Sequence, residues 1–210
     1  MVSDYIRIHT QTGPIYGGNQ NLFPDRKLSG FGCGLIAAAD VSLYLQGRTS
    51  FRRLADYVEY VREIERDFFY LPRLGMNGIM LALGMNRVCR RQNLPYRAHW
   101  HLLPMGQADL QVMRSMLRQQ IPVILAIGPN FPHILGQEKV KLYQKKRQGQ
   151  LAVASNVQKH FLTITEITED GWMKVSSWGK IYYLSWEEVL TYARKKSMPF
   201  FTNYLQIRSI

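Results

Sequence analysis

Two residues far apart in the chain have the types and settings for nucleophilic catalysis. Cys33 lies in Gly30-Phe31-Gly32-Cys33-Gly34-Leu35-Ile36-Ala37-Ala38-Ala39, where three glycines crowd one thiol and an alanine-rich run begins at once. Glycine lets the backbone turn sharply and approach other groups closely, and the alanines favour a tightly packed helix. The thiol is therefore expected on the first turn of a helix, where unpaired N–H groups and the helix dipole favour thiolate. Cys89, between Val88 and Arg90 in the middle of a helical pattern, reads instead as a buried structural residue.

A cysteine nucleophile needs an imidazole within reach and a third group to orient the ring. Of the five histidines, His160 opens the apolar run Phe161-Leu162-Thr163-Ile164-Thr165 and follows the polar pair Gln158-Lys159. At the leading edge of a strand it would be rigidly held and still able to face a cleft. His9 and His133 fall in irregular segments. His99 and His101 flank Trp100 and share one face of a strand, but no third Cys, Asp or Glu stands at ligand spacing. No metal and no cofactor are expected.

The elements that must position Cys33 and His160 follow from periodicity and punctuation. The helix after Cys33 should run to about Leu45 and stop at Gly47. A second should follow Thr49 or Ser50, with Leu54, Tyr57, Val58, Val61 and Ile64 at helical spacing. Asn77 should cap a third helix containing Cys89, and a fourth should cover about 108–120. Strands are expected at Tyr96–Leu102, Pro122–Ile127, Val157–Ile167, Trp172–Ser177, Lys180–Leu184 and Phe201–Arg208. Ser185-Trp186-Glu187-Glu188 is a capping box that should open a helix to about Lys196. Residues 2–24 read as irregular apart from a short β-type run at Tyr5–His9. This order indicates an α+β fold in one domain over 1–210. A mainly helical lobe over about 15–120 carries Cys33, and a β lobe over about 121–210 carries His160.

Cys33 at a helix start, His160 leading a strand, and Ser176-Ser177-Trp178-Gly179 beyond it resemble the plan of papain-like cysteine peptidases. The Gly-Cys-Gly-alanine helix, the isolated Pro122-Val123-Ile124 strand and the closing run Trp178–Ser185 are similar to the smaller branch of bacteriocin-processing, double-glycine leader peptidases. The resemblance spans about residues 15–208 and is specific around Cys33, His160 and Trp178. It implies a papain-like fold, a helical lobe packed on an antiparallel β lobe, and hydrolysis of a peptide or isopeptide bond in a peptide or protein substrate. It also implies roles. Cys33 is the nucleophile and His160 its partner. Ser176 stands where the family has the Asn that orients the ring. Gln20 is the oxyanion donor, with Asn19 or Asn21 as substitutes. The family's Gln six residues before the cysteine is replaced here by Lys27, and the aromatic that follows papain's cysteine by Gly34.

Composition sets the outer bounds. A chain of 210 residues with 46% hydrophobic residues can bury a full core. Two cysteines make no disulfide framework, and neither a signal peptide nor a run of transmembrane length stands in the sequence, so a cytoplasmic protein is expected, with secretion after removal of a leader left open. The formal charge of +12 is spread along the chain and accompanies no nucleic-acid motif. Only Lys139, Lys141, Lys145, Lys146 and Arg147 cluster, as a solvated basic hairpin and the one local surface for an anionic partner. Three other functions fit parts of this pattern: a groove that binds peptide without cleaving it, acyl transfer by the same dyad, and an anionic-polymer binder on charge alone.

Overall fold

The N-terminal segment expected to be mostly irregular forms a small sheet. β1 (Arg7–Thr10) and β2 (Gly13–Tyr16) make an antiparallel hairpin, and β3 (Ser50–Phe51) adds to β1 in parallel. The structure, a computed structural model, describes residues 1–71, 75–132, 136–147 and 149–210. His133 and Gln148 lie outside those residues. After β2 comes a single 3-10 turn at Gln20–Leu22, then a six-residue helix, α1 (Arg26–Phe31). Asp25 caps α1, accepting the Leu28 N–H at 2.8 Å. The sequence pattern did not foretell α1, because six residues are too few to show a helical period.

The alanine run forms α2 (Cys33–Leu45), and Gly34 through Leu43 are all buried. A helix apolar on every side belongs in the middle of a domain. α2 packs on α3 (Leu54–Glu65) and α4 (Gly78–Arg91) on one side and on the main sheet on the other. Gly32 joins α1 to α2 and ends the one as it starts the other. A Cβ there would lie 2.4 Å from the Leu28 carbonyl oxygen, so only glycine fits the junction. α3 begins at Leu54 after Arg53 and not at Thr49 or Ser50, because Ser50 and Phe51 pair as β3; its buried stripe is Tyr57, Tyr60, Val61 and Ile64, while the expected Leu54 and Val58 are only partly buried. In α4, Asn77 Oδ1 accepts the Met80 N–H at 2.9 Å, as its position before the apolar run suggested.

The main sheet has eight strands, all paired antiparallel: β4 (Tyr96–Trp100), β11 (Asn203–Ser209), β5 (Val123–Ile127), β8 (His160–Ile167), β9 (Trp172–Ser177), β10 (Lys180–Ser185), β6 (Val140–Lys145) and β7 (Leu151–Val157), in that spatial order. β5 is buried along its whole length, as its uninterrupted apolar sequence requires. α5 (Gln107–Arg118) packs on β5, β8 and β11, and α6 (Trp186–Lys195), capped by Ser185, packs on β10 and β6. The α+β class holds, with six helices and a large antiparallel sheet among the described residues. β4, from the first half of the chain, pairs with β11 from the second, and the small sheet lies wholly in the first half.

Candidate active site

Cys33 occupies the first position of α2, and its N–H has no backbone acceptor among the described residues. His160 is the first residue of β8, directly after Lys159, whose φ of +53° sets the chain direction into the strand. α2 packs on β8, and a small cavity of ≈ 20 Å³ between them is lined by Cys33, His160, Gln20, Asp40, Ser176 and Ser177, among others. That is room for about one water molecule. Thus the thiol, the imidazole and the glutamine singled out in the sequence meet at one place. No hydrogen bond joins the Cys33 thiol to the His160 ring among the described residues.

Ser177, and not Ser176, holds the imidazole. His160 Nε2 lies 2.8 Å from Ser177 Oγ, while Ser176 Oγ donates to the Tyr16 carbonyl at 2.9 Å. Strand parity is the reason. Thr163 pairs with Ser176, so one step along Ser177 stands across from Leu162, on the face that Leu162 shares with His160. Spacing along the chain selected the serine one position too early, because nothing local fixes the register between two strands. Replacement of each serine by alanine separates their tasks. Ser176→Ala is expected to lower stability by about 1 kcal/mol with little change in rate, through one lost hydrogen bond. Ser177→Ala is expected to lower turnover of an activated ester about tenfold by freeing the ring. Urea denaturation and ester hydrolysis on the two variants read the difference.

Trp178, half-buried, stacks on the imidazole, with centroids 4.4 Å apart and planes 23° from parallel. It reaches that place through the turn of the β9–β10 hairpin, where Ser177 pairs with Lys180 and the two residues between have φ of +49° (Trp178) and +72° (Gly179). Both angles are those of a type I′ turn, the tight turn that suits strand twist. A non-glycine residue there carries a strain of about 1–2 kcal/mol, and the stack returns about 0.5–1.5 kcal/mol of it.

Gln20 stands thirteen residues before Cys33, yet it reaches the cavity because α1 takes up the intervening chain. Its Nε2 donates to the Ser29 carbonyl at 2.8 Å, which leaves a second N–H of the amide free. Asn19 is occupied in capping the 3-10 turn, accepting the Asn21 N–H at 3.0 Å, and Asn21 is exposed. Of the three amides, Gln20 alone lines the cavity.

Burial sets the charge state. It pushes the Cys33 thiol above its ordinary value, against the pull of the Phe161, Gly34 and Cys33 N–H groups. It pushes His160 down from 6.5 to about 4. Both shifts favour the neutral form, so the resting pair at pH 7 is thiol and imidazole. The thiolate expected from the helix start alone is overridden by desolvation.

The remaining candidates fall elsewhere. Cys89 is 1% exposed within α4, with its thiol pushed up to about 11 by burial. His99 bonds to Gln206, and His101 Nδ1 bonds to Asn203 Oδ1 at 3.0 Å. No group of three metal-ligating side chains occurs among the described residues. Lys139, Lys141, Lys145, Lys146 and Arg147 are exposed on and beside the β6–β7 hairpin, three strands from β8, and Lys141 reaches Glu188 at 4.0 Å. No helix among the described residues is long and apolar enough to cross a membrane. The sequence reading missed Ser177 and Asp40. Only register could have found the serine, whereas an aspartate inside an apolar, alanine-rich helix was itself a visible anomaly.

Neither a protein-family model nor a curated protein matches the chain.

Proposed function

We propose that the protein is a thiol hydrolase of peptide or isopeptide bonds, built on a papain-like plan, with Cys33 as nucleophile and His160 as base. The observation that carries the reading is the meeting of Cys33, His160 and Gln20 on one small cavity, from positions 33, 160 and 20 of the chain. In the tautomer where Nε2–H donates to Ser177 Oγ, Nδ1 is the ring nitrogen left to act as base.

The chemistry then runs from a neutral pair. Cys33 Sγ forms a bond to the substrate carbonyl carbon as its proton passes to His160 Nδ1. The carbonyl oxygen takes the electron pair and is held by the Cys33 N–H and the Gln20 amide. The imidazolium, faced by the Trp178 ring, returns the proton to the leaving amine as the C–N bond breaks, which leaves a thioester on Cys33. Water gives a proton to His160 and attacks that thioester, releasing the acid and the free thiol. An amine in place of water gives acyl transfer through the same groups.

p-Nitrophenyl acetate tests the reading without knowledge of the natural substrate. The wild type is expected to release nitrophenolate with acetyl capture on Cys33, seen by mass spectrometry, and Cys33→Ala to show neither. Gln20→Ala is expected to lower kcat about 10²–10³-fold, the loss of one oxyanion donor. Turnover that survives Cys33→Ala overturns the proposal. A second reading, a groove that binds peptide unchanged, draws on the thiol and imidazole, which no hydrogen bond joins among the described residues. It predicts peptide binding with no acetyl-enzyme.

A further inference from the structure

One buried titratable group of the same cavity has no part in that chemistry. Asp40 lies two turns along α2 from Cys33 and is 2% exposed. Every bond it accepts comes from a neutral donor. Oδ1 accepts the Tyr57 hydroxyl at 2.7 Å, and Oδ2 accepts the Gly18 N–H at 2.9 Å and the Tyr5 hydroxyl at 3.3 Å. A carboxyl placed in an otherwise apolar helix core is costly, and an apolar side chain would pack there at no such cost. Its presence fits a task that needs an acceptor at this point.

The chain from Tyr16 to Gln20 forms a strap held where the Gly17 N–H donates to the Ile6 carbonyl at 2.8 Å and Ser176 Oγ donates to the Tyr16 carbonyl at 2.9 Å, and it lies between two further fastenings. On one side Asp40 holds Gly18. On the other side is the Trp178–Gly179 turn. The Tyr16 N–H donates to the Gly179 carbonyl at 2.9 Å, and the Gly179 N–H donates to the Gly18 carbonyl at 3.0 Å. The two glycines admit no side chain. A Cβ at Gly17 would lie 2.1 Å from Ser176 Oγ, and one at Gly18 1.9 Å from the Tyr57 hydroxyl. The strap ends at Gln20, which lines the same cavity as Cys33, and its outer fastening carries the tryptophan that covers His160.

We propose that Asp40 is a positioning residue: its carboxyl draws the Gly17–Gly18 strap onto α2, and the strap sets both Gln20 beside Cys33 and Trp178 over His160. The kinetic consequence rests on the thiol-hydrolase reading, whereas the anchoring of the strap does not.

The test pairs amide hydrogen exchange, followed residue by residue by NMR, with p-nitrophenyl acetate kinetics on the intact protein. Asp40→Ala is expected to speed exchange of the Gly18 and Gly179 amides about tenfold, while core amides such as Ile164 stay protected. It is also expected to lower kcat about tenfold with KM little changed, since orientation and not substrate binding is lost. Asp40→Asn keeps an acceptor for the Gly18 N–H, and the Tyr57 hydroxyl can turn to accept from the amide, so exchange and kcat should return close to wild type. Gly18→Ala keeps the Asp40 carboxyl but drives a Cβ against the Tyr57 hydroxyl that bonds it, which displaces the strap, and should match Asp40→Ala in kcat. It carries the test if Asp40→Ala does not fold. Unchanged Gly18 exchange in Asp40→Ala, undiminished kcat in Gly18→Ala, or no recovery in Asp40→Asn overturns the proposal. If the wild type gives no ester turnover, the hydrolase reading falls and the exchange data alone decide the strap.

Discussion

His160→Ala is expected to slow alkylation of Cys33 by iodoacetamide about 10²-fold at pH 7, the contribution of a positioned general base. The size of the effect follows from the neutral resting pair. Burial pushes the Cys33 thiol toward its protonated form, so under the proposed mechanism its reactivity comes from proton transfer to the imidazole as the sulfur attacks. For the same reason the wild-type rate should climb between pH 7 and 9, without the early plateau of a preformed thiolate–imidazolium pair. Cys89 is the internal control. It is buried in α4 with its thiol pushed up to about 11, and should react slowly in both proteins. Peptide mapping by mass spectrometry reads both thiols in one sample. Equal, slow labelling of Cys33 and Cys89 in the wild type would sink the assignment of the nucleophile. An unchanged Cys33 rate in His160→Ala would remove the base.

The second large effect is a pair of opposed titrations within one cavity. His160 is held neutral, its value moved from 6.5 to about 4, so below pH 6.5 the unfolded chain takes up a proton that the folded one refuses. Stability from this group therefore falls as the pH drops from about 6.5 to about 4. Asp40 is shifted the other way, from 3.8 to about 6, by burial against the Gly18, Tyr57 and Tyr5 donors. The folded protein keeps that proton longer than the unfolded chain, so this contribution is full below pH 3.8 and is lost as the pH rises through about 6. Each shift corresponds to about 3 kcal/mol. The wild type is thus expected to show a nearly flat stability between pH 4 and 6. Asp40→Asn leaves the histidine unopposed and should gain about 3 kcal/mol from pH 4 to 6.5, and His160→Gln should lose about 3 kcal/mol from pH 4 to 6. Urea unfolding at half-unit pH steps measures all three profiles. Parallel profiles for the two variants would show that the cavity does not impose these shifts.

Much of the fold was legible because its signals are local. The recurrence of Tyr57, Val61 and Ile64, the Asn77 and Ser185 caps and the wholly apolar Val123–Ile127 each depend on residues a few positions apart, and a helix or strand formed over each, with α3 starting later than Thr49 or Ser50 implied. Where the signal was too short, reading failed. α1 and β2 offer six and four residues, less than two helical turns or a convincing alternation, whereas β1 overlaps the β-type run expected at Tyr5–His9. Strand Tyr96–Trp100 was recognised as a strand, but its place beside β11 was not, since pairing across about 100 residues leaves no trace in either segment.

The sequence by itself determined that Cys33 would stand at a helix start, that His160 would lead a strand, and that Trp178-Gly179 would lie between two strands. Glycine placement, apolar runs and turn residues are properties of adjacent positions, so they could be read in one dimension. The tertiary structure decided the rest of the site. Register gave the imidazole to Ser177 and left Ser176 to the strap, a choice of parity that spacing cannot make. α1 folded the thirteen-residue gap so that Gln20 reached the cavity that Cys33 lines. Burial reversed the charge state that the helix dipole alone would favour, because desolvation depends on everything packed around a group and not on its neighbours in sequence.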